Sequence, residues 1–383
     1  MRITPAAQLG LFLWLVAVAF IAWKIGFEPG KHTVVTSYLL GAERWLERAD
    51  LYTGPHGFIY MPTFALLFSP LAKLPLVFTD LLWRAFLLVV YFYSLAQLLK
   101  AILKERQALF WQWFGLVSLV ALPIAFSGLR NGQMNVLLSA VMILVTAWLV
   151  QAQWNYAALL MALVMSLKPT FAVFFLLVLA LYKPLWWRVP PLLVGFLCLP
   201  LVAGAEYGIT QYINFYAMSH DAMELGMAEP DWATLFNIFP QVGGFFVPEF
   251  IQLGVKISLA LGTLWYCYRQ KQRYDSVSFA IIVLTLACCY HMLFNPRSVN
   301  TDYVILGTVM AFWFAAASLL WHDRWYAGLF GLNAVLILLA YELSKLITPD
   351  HHSWVNPLAA LLFSLIVLWQ IPKGRVFQKM NNC

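Results

Sequence analysis

Long, continuous apolar runs follow one another along almost the whole chain, separated by short polar stretches that carry most of the charge. The runs show no period of two, so they read as helices and not as barrel strands. They place apolar spans at 8–25, 77–99, 108–127, 134–151, 155–167, 170–182, 190–205, 247–267, 276–294, 303–321, 325–344 and 356–372. At about 1.5 Å of rise per residue, crossing a bilayer core takes about 20 residues. Segments 155–167 and 170–182 are too short for that. Lys168-Pro169 lies between them, and proline breaks a helix, so a hairpin that enters and returns is expected.

Composition sharpens this picture. Of 383 residues, 62% are hydrophobic and 11% charged, against roughly 45–50% and about 25% in soluble domains. With a mean hydropathy of +0.77, a soluble enzyme and a disordered chain are both excluded. The expectation is an all-α, polytopic membrane protein of about 10–12 transmembrane helices, forming a single integral membrane domain over 1–383. Segment 8–25 reads as an uncleaved signal anchor. The net charge of +7 includes no dense basic run, so it points to loop bias and not to nucleic acid. Arg2; Lys100, Lys104 and Arg106; Lys183 and Arg188; Arg269, Lys271 and Arg273; Arg324; and Lys373, Arg375 and Lys379 share one side if the helices alternate. The positive-inside rule makes that side cytoplasmic, with both termini there, in a bacterial cytoplasmic membrane. The five cysteines have no metal-ligand spacing and indicate neither disulfides nor zinc.

Two long polar connections, about 26–73 and 205–246, then face outward, and loops this long are usually functional. In the first, Ser37 to Arg48 patterns as an amphipathic helix, with Tyr38, Leu39, Ala42, Trp45 and Leu46 on one face. It is expected to lie on the membrane surface. A short apolar segment, Met61 to Leu71, follows. The second connection mixes Tyr207, Tyr212, Phe215, Tyr216 and Trp232 with His220, Asp221, Glu224, Glu229 and Asp231. That mixture suits a sugar site or a membrane interface.

Three polar clusters fall on the outward side, where ionisable groups near hydrocarbon mark cavities and pathways. The first is Gly128-Leu129-Arg130-Asn131-Gly132-Gln133-Met134-Asn135. Arg130 offers bidentate phosphate recognition; Asn131, Gln133 and Asn135 offer hydrogen bonds, and a helix start there offers free N–H groups to an anion. Equally, the stretch reads as a polar turn with caps. The second is Ser166 to Thr170, in which Lys168 has no local acid and calls for a phosphate or for snorkelling to the surface. The third is Asn295 to Tyr303, where Arg297 is a second anion ligand and Asp302 either a carboxylate for chemistry or an N-cap.

Gly41-Ala42-Glu43-Arg44-Trp45-Leu46, Asp50-Leu51-Tyr52 and the run from Phe58 to Pro75 together resemble glycosyltransferase family 87. Arg130 to Asn135, Leu167-Lys168-Pro169 and Asn295-Pro296-Arg297 resemble its later signatures, in the family's order, so the likeness covers about 37–303. The resemblance implies a C-type glycosyltransferase fold and a polyprenyl-phosphate-linked sugar donor, commonly of mannose. It also implies inverting transfer, outside the cytoplasmic membrane, to a lipid, glycan or protein. A first-loop carboxylate deprotonates the acceptor hydroxyl, and basic groups stabilise the departing lipid phosphate. Arg130, Lys168 and Arg297 would bind that phosphate, with Asn131, Gln133, Asn135 and Asn295 positioning donor or sugar.

The sequence departs from the family in one respect that matters. The usual Asp ahead of the first interfacial helix falls near Val34 or Val35, and the Glu expected after the Pro-Arg pair falls near Val299. Asp50 is the first candidate base, from its place in the family-like Asp-Leu-Tyr; its rival role is capping the turn before Gly54-Pro55. Asp302 and Glu28 are the alternatives, with Glu43 and Glu47 read as a solvated helix face and His56 as a loop residue. No cofactor is expected, although one carboxylate and a phosphate can hold Mg²⁺. Two other readings stay open: a flippase for the same lipid-linked sugar, and an inactive homologue acting as an assembly partner.

Overall fold

The computed structural model describes residues 4–54, 58–104, 106–228 and 232–377, with side chains omitted over 222–228. All regular structure among them is helical. Chain order runs through α1 (Pro5–Phe27), α2 (Val35–Glu47), α3 (Pro62–Phe68), α4 (Leu76–Leu103), α5 (Phe110–Asn131) and α6 (Met134–Val150). A broken hairpin follows, α7 (Trp154–Leu167) and α8 (Ala172–Leu181), then α9 (Val189–Cys198) and α10 (Ala205–Ala228). The remaining helices are α11 (Glu249–Gln270), α12 (Ser276–Phe294), α13 (Val304–Leu319), α14 (Arg324–Leu338), α15 (Ala340–Ile347) and α16 (Val355–Gln370).

Eight helical stretches among the described residues are long and apolar enough to cross a membrane, and α14 with α15 makes a ninth if that bent pair is one span. The expected 10–12 also counted α6, α7 and α8, which are apolar but shorter. Trp154, opening α7, packs its ring 6.1 Å from that of Tyr182, just past α8. The hairpin therefore returns to the side it entered from, as its length required. The single helix expected over 325–344 is instead bent by 71° at the break between α14 and α15.

α12 is almost wholly buried in the core, whereas few residues of α11 are buried. Helices in a membrane gain little from hydrophobicity against one another, so close approach and polar links do the joining. α1 crosses α5 at Gly10 and Gly115, where a Cβ on Gly115 would fall 2.5 Å from the backbone of Ala6 and Ala7. Beside it Trp14 Nε1 donates to Ser118 Oγ at 3.1 Å. Farther in, Tyr91 and Thr308 hydroxyls meet at 2.6 Å, tying α4 to α13, and Trp313 Nε1 donates to Thr285 Oγ1 at 2.9 Å, tying α13 to α12.

α2 forms where the amphipathic pattern placed it, and Arg48 in the left-handed region ends it (φ 56°). Its apolar face, however, does not lie on lipid. Tyr38, Leu39, Ala42 and Trp45 are buried against α3, the turn after it and α4, leaving Leu46 exposed. Most of the second connection is the helix α10. His56, Glu229, Asp231 and Cys383, and the side chain of Glu224, lie outside the described residues.

Candidate active site

The first polar cluster folds into a tight corner between α5 and α6. Gly132 takes a left-handed conformation (φ +68°) that closes α5, and Gln133 N–H donates to Gly128 C=O at 2.9 Å, as glycine-capped helix ends do. A Cβ here would reach within 3.0 Å of Val35 and 3.3 Å of Trp83. The corner's carbonyls are used to hold the first loop. Asn131 C=O accepts from Val34 N–H at 3.0 Å, and Gly132 C=O accepts from Trp83 Nε1 at 2.7 Å. Val34 and Val35, where the resemblance called for an acid, are thus packing positions against this corner.

The helix start at α6 is also partly spoken for. Met134 N–H donates to the hydroxyl of Tyr38 at 3.1 Å, and Val136 N–H to Gln133 C=O at 3.1 Å. Tyr38, fully buried, lies 3.2 Å from the hydroxyl of Tyr60. These two tyrosines form the polar floor of the site, and the sequence reading had assigned Tyr38 only to an apolar face.

Lys168 stands at the apex of the broken hairpin in extended backbone (φ −148°, ψ 96°), the geometry a following proline favours. Met61 N–H donates to Leu167 C=O at 3.1 Å, fastening the apex to the start of α3. The Lys168 ammonium donates to Asn135 Oδ1 at 2.7 Å and lies 5.6 Å from the Tyr60 ring and 5.9 Å from the Phe171 ring. Phe171 in turn packs 4.5 Å from the ring of His291 on α12.

The third cluster meets the other two. Thr301 Oγ1 donates to Gln133 Oε1 at 2.8 Å, and Asn295 Nδ2 closes its own turn onto Ser298 Oγ at 3.0 Å. Asp302 is 6% exposed. Its Oδ2 accepts from Val299 N–H at 3.0 Å, so it caps the short turn Asn300–Tyr303 from the third position, while the N-cap expected at Asp302 is Val299. Its Oδ1 has no hydrogen-bond partner. No direct ion pair joins Asp302 to Lys168 among the described residues. A cation, a carboxylate with one unengaged oxygen, and amide and phenol groups therefore share one partly buried corner.

The other sequence candidates are placed differently. Arg130 is half-buried, its Nε on Asn131 Oδ1 at 3.2 Å. Arg297 is exposed and stacks 4.7 Å from the Trp232 ring. Asp50 Oδ1 accepts from Tyr52 N–H at 3.2 Å and from Asn214 Nδ2 at 3.0 Å, which fixes the turn and binds it to α10. Glu28 bonds to Lys24 and pairs with Lys31 at 3.5 Å; that hydrogen bond from Lys24 holds its carboxyl below the usual range. Among the described residues, no hydrogen bond or ion pair joins Asp50 or Glu28 to Lys168. Among the described residues no group of three His, Cys, Asp or Glu is placed to hold a metal.

Sequence reading passed over one further pair. Asp80 and Arg84 form a buried bidentate ion pair on α4, with both contacts at 2.6 Å. Thr33 Oγ1 donates to Asp80 Oδ1 at 3.2 Å, so the pair pins the loop just ahead of α2, while Arg84 Nη1 stays without a partner. The signal was legible as an acid and a base four apart in an otherwise apolar helix.

No curated protein and no solved structure matches the chain. The family model for glycosyltransferase family 87 matches residues 58–296, well over half of the chain. That stretch includes Tyr60, the Arg130–Asn135 corner, Lys168 and Asn295, and ends just before Arg297 and Asp302. On that match, and with helices of this length and apolarity around the site, the chain belongs to glycosyltransferase family 87 and is a membrane glycosyltransferase.

Proposed function

We propose that the chain transfers a hexose, mannose in the first instance, from a polyprenyl-phosphate-linked donor to a lipid, glycan or protein acceptor. The reaction takes place on the outer side of a bacterial cytoplasmic membrane, with both chain termini in the cytoplasm. The observation that carries this reading is the corner where Lys168 is held on a neutral partner, Asn135, over the Tyr60 ring. An ammonium engaged by an amide oxygen keeps its charge for an anion.

In this reading a donor phosphate oxygen takes the place of Asn135 Oδ1 on Lys168, with Arg130 as a second cation. As the sugar C1–O bond breaks, the electron pair goes to the phosphate oxygen, and the cations stabilise the growing charge. Asp302 Oδ1, the unengaged oxygen, accepts the proton of the acceptor hydroxyl, whose oxygen forms the new bond to C1. Attack opposite the leaving group inverts the anomeric centre. Gln133, Asn131, Asn135 and Asn295 orient donor and sugar, and Arg297, stacked on Trp232, is a further cation for the phosphate. Two valines at the position of the family's acid favour the flippase or inactive-partner reading if no carboxylate proves necessary.

The test is transfer by the purified chain in lipid bilayers, supplied with radiolabelled polyprenyl-phosphate-mannose and a membrane-lipid extract. Labelled product is expected, lost in Lys168→Ala and in Asp302→Asn. Donor movement across the bilayer without bond cleavage would overturn the transferase reading of the site in favour of a flippase.

A further inference from the structure

α11 is the least buried of the long apolar helices, and Phe250, Leu253, Ile257 and Leu261 on it are exposed. Lys256 interrupts this surface, seven residues past Glu249 and so about 10 Å along the helix axis. Its side chain is partly buried. It lines a small groove, with a cavity volume of about 30 Å³, between α11, the end of α12 and the segment that follows α10. The ammonium lies 5.6 Å from the Phe236 ring. No carboxylate among the described residues pairs with it.

The groove's other polar walls are Thr234, Asn237 and Gln252, with Gln252 Nε2 held on Val247 C=O at 2.9 Å. Tyr290 hydroxyl donates to the Lys256 carbonyl at 2.9 Å, fixing the turn that presents the lysine. Phe246, on the rim, is exposed, so the groove opens at the surface. An ammonium at membrane depth is costly without a counter-charge or water, and such residues face cavities that are used. None of Lys168, Arg130 or Asp302 lines this groove.

We propose that the groove binds the phosphate of a lipid, with Lys256 as its counter-charge, Asn237 and Thr234 as hydrogen-bond donors, and the lipid chain along the exposed face of α11. Ordinary membrane phospholipids and polyprenyl monophosphates share that phosphate, and either can supply it.

Native mass spectrometry of the full chain in neutral detergent counts bound copies of polyprenyl monophosphate, phosphatidylglycerol and uncharged polyprenol. Lys256→Gln should carry one phosphate-lipid copy fewer at matched concentration, and Lys256→Arg should restore it, with polyprenol retention the same in all three. A loss confined to polyprenyl monophosphate identifies that lipid as the occupant; a loss that includes phosphatidylglycerol identifies a membrane phospholipid. Equal retention in Lys256→Gln and wild type overturns the proposal, as does a loss that extends to polyprenol. If Lys168→Gln alone lowers phosphate-lipid binding, the transfer site stands and this groove does not.

Discussion

The Nζ of Lys168 donates to Oδ1 of Asn135 at 2.7 Å, joining the apex of a broken hairpin to the first turn of α6. The bond keeps the ammonium beside Tyr60 without neutralising it. Removing the amide should leave Lys168 charged but loosely placed. Asn135→Ala is expected to lower kcat about tenfold to a hundredfold, since a small misplacement of a charge-stabilising group costs that much. Asn135→Asp should raise the donor KM, by pairing with the ammonium a phosphate needs. Steady-state kinetics on the bilayer-reconstituted chain separates the two effects; unchanged kcat in both variants would remove Asn135 from the site.

Asp302 is the candidate base with a buried oxygen left without a hydrogen-bond partner, whereas Asp50 and Glu28 each use one carboxylate oxygen to hold local partners. A general base works only when deprotonated, so turnover should rise with pH through its acid limb in the wild type. Asp302→Asn should lose that limb together with about 10²–10⁴-fold of rate. Asp50→Asn and Glu28→Gln should keep the limb. A pH–rate profile is the deciding measurement, and loss of the limb in Asp50→Asn would move the base to the first loop.

Gly132→Ala puts a Cβ at φ +68° and within 3.0 Å of Val35. Backbone strain of this kind costs about 1–3 kcal/mol. Because the same corner holds the first loop through Asn131 C=O, both stability and transfer should fall. Thermal unfolding followed by size-exclusion in detergent reads the first, and the transfer assay the second. Gly26→Ala, at a position with open space around it, serves as the control.

The Asp80–Arg84 pair is buried on both sides. Removing one member strands the other charge, at a cost of about 3–5 kcal/mol, while replacing both with apolar groups is far milder. Asp80→Leu should therefore unfold at lower temperature than Asp80→Leu/Arg84→Met. The reverse order would show that the pair's polar contacts with Thr33 matter more than charge balance.

Run length and the absence of a two-residue period were enough to read an all-helical membrane chain, because burial in hydrocarbon must satisfy every backbone group within a helix. A local rule likewise exposed the hairpin at Lys168-Pro169, since proline denies a helix its donor. The three polar clusters were visible one at a time for the same reason: ionisable groups in apolar context stand out in a linear string. What joined them was not local. Lys168 reaches Asn135 across 33 positions and Thr301 reaches Gln133 across 168. Nothing in either segment names its partner, because side-chain contacts across helices depend on packing angles set by small residues such as Gly10 and Gly115. The same packing took the apolar face of α2 from the membrane surface into the protein, stacked Arg297 on Trp232, and left Asp302 Oδ1 buried without a hydrogen-bond partner. Chain pattern determined which residues were out of place in a membrane; tertiary packing decided which of them share one site.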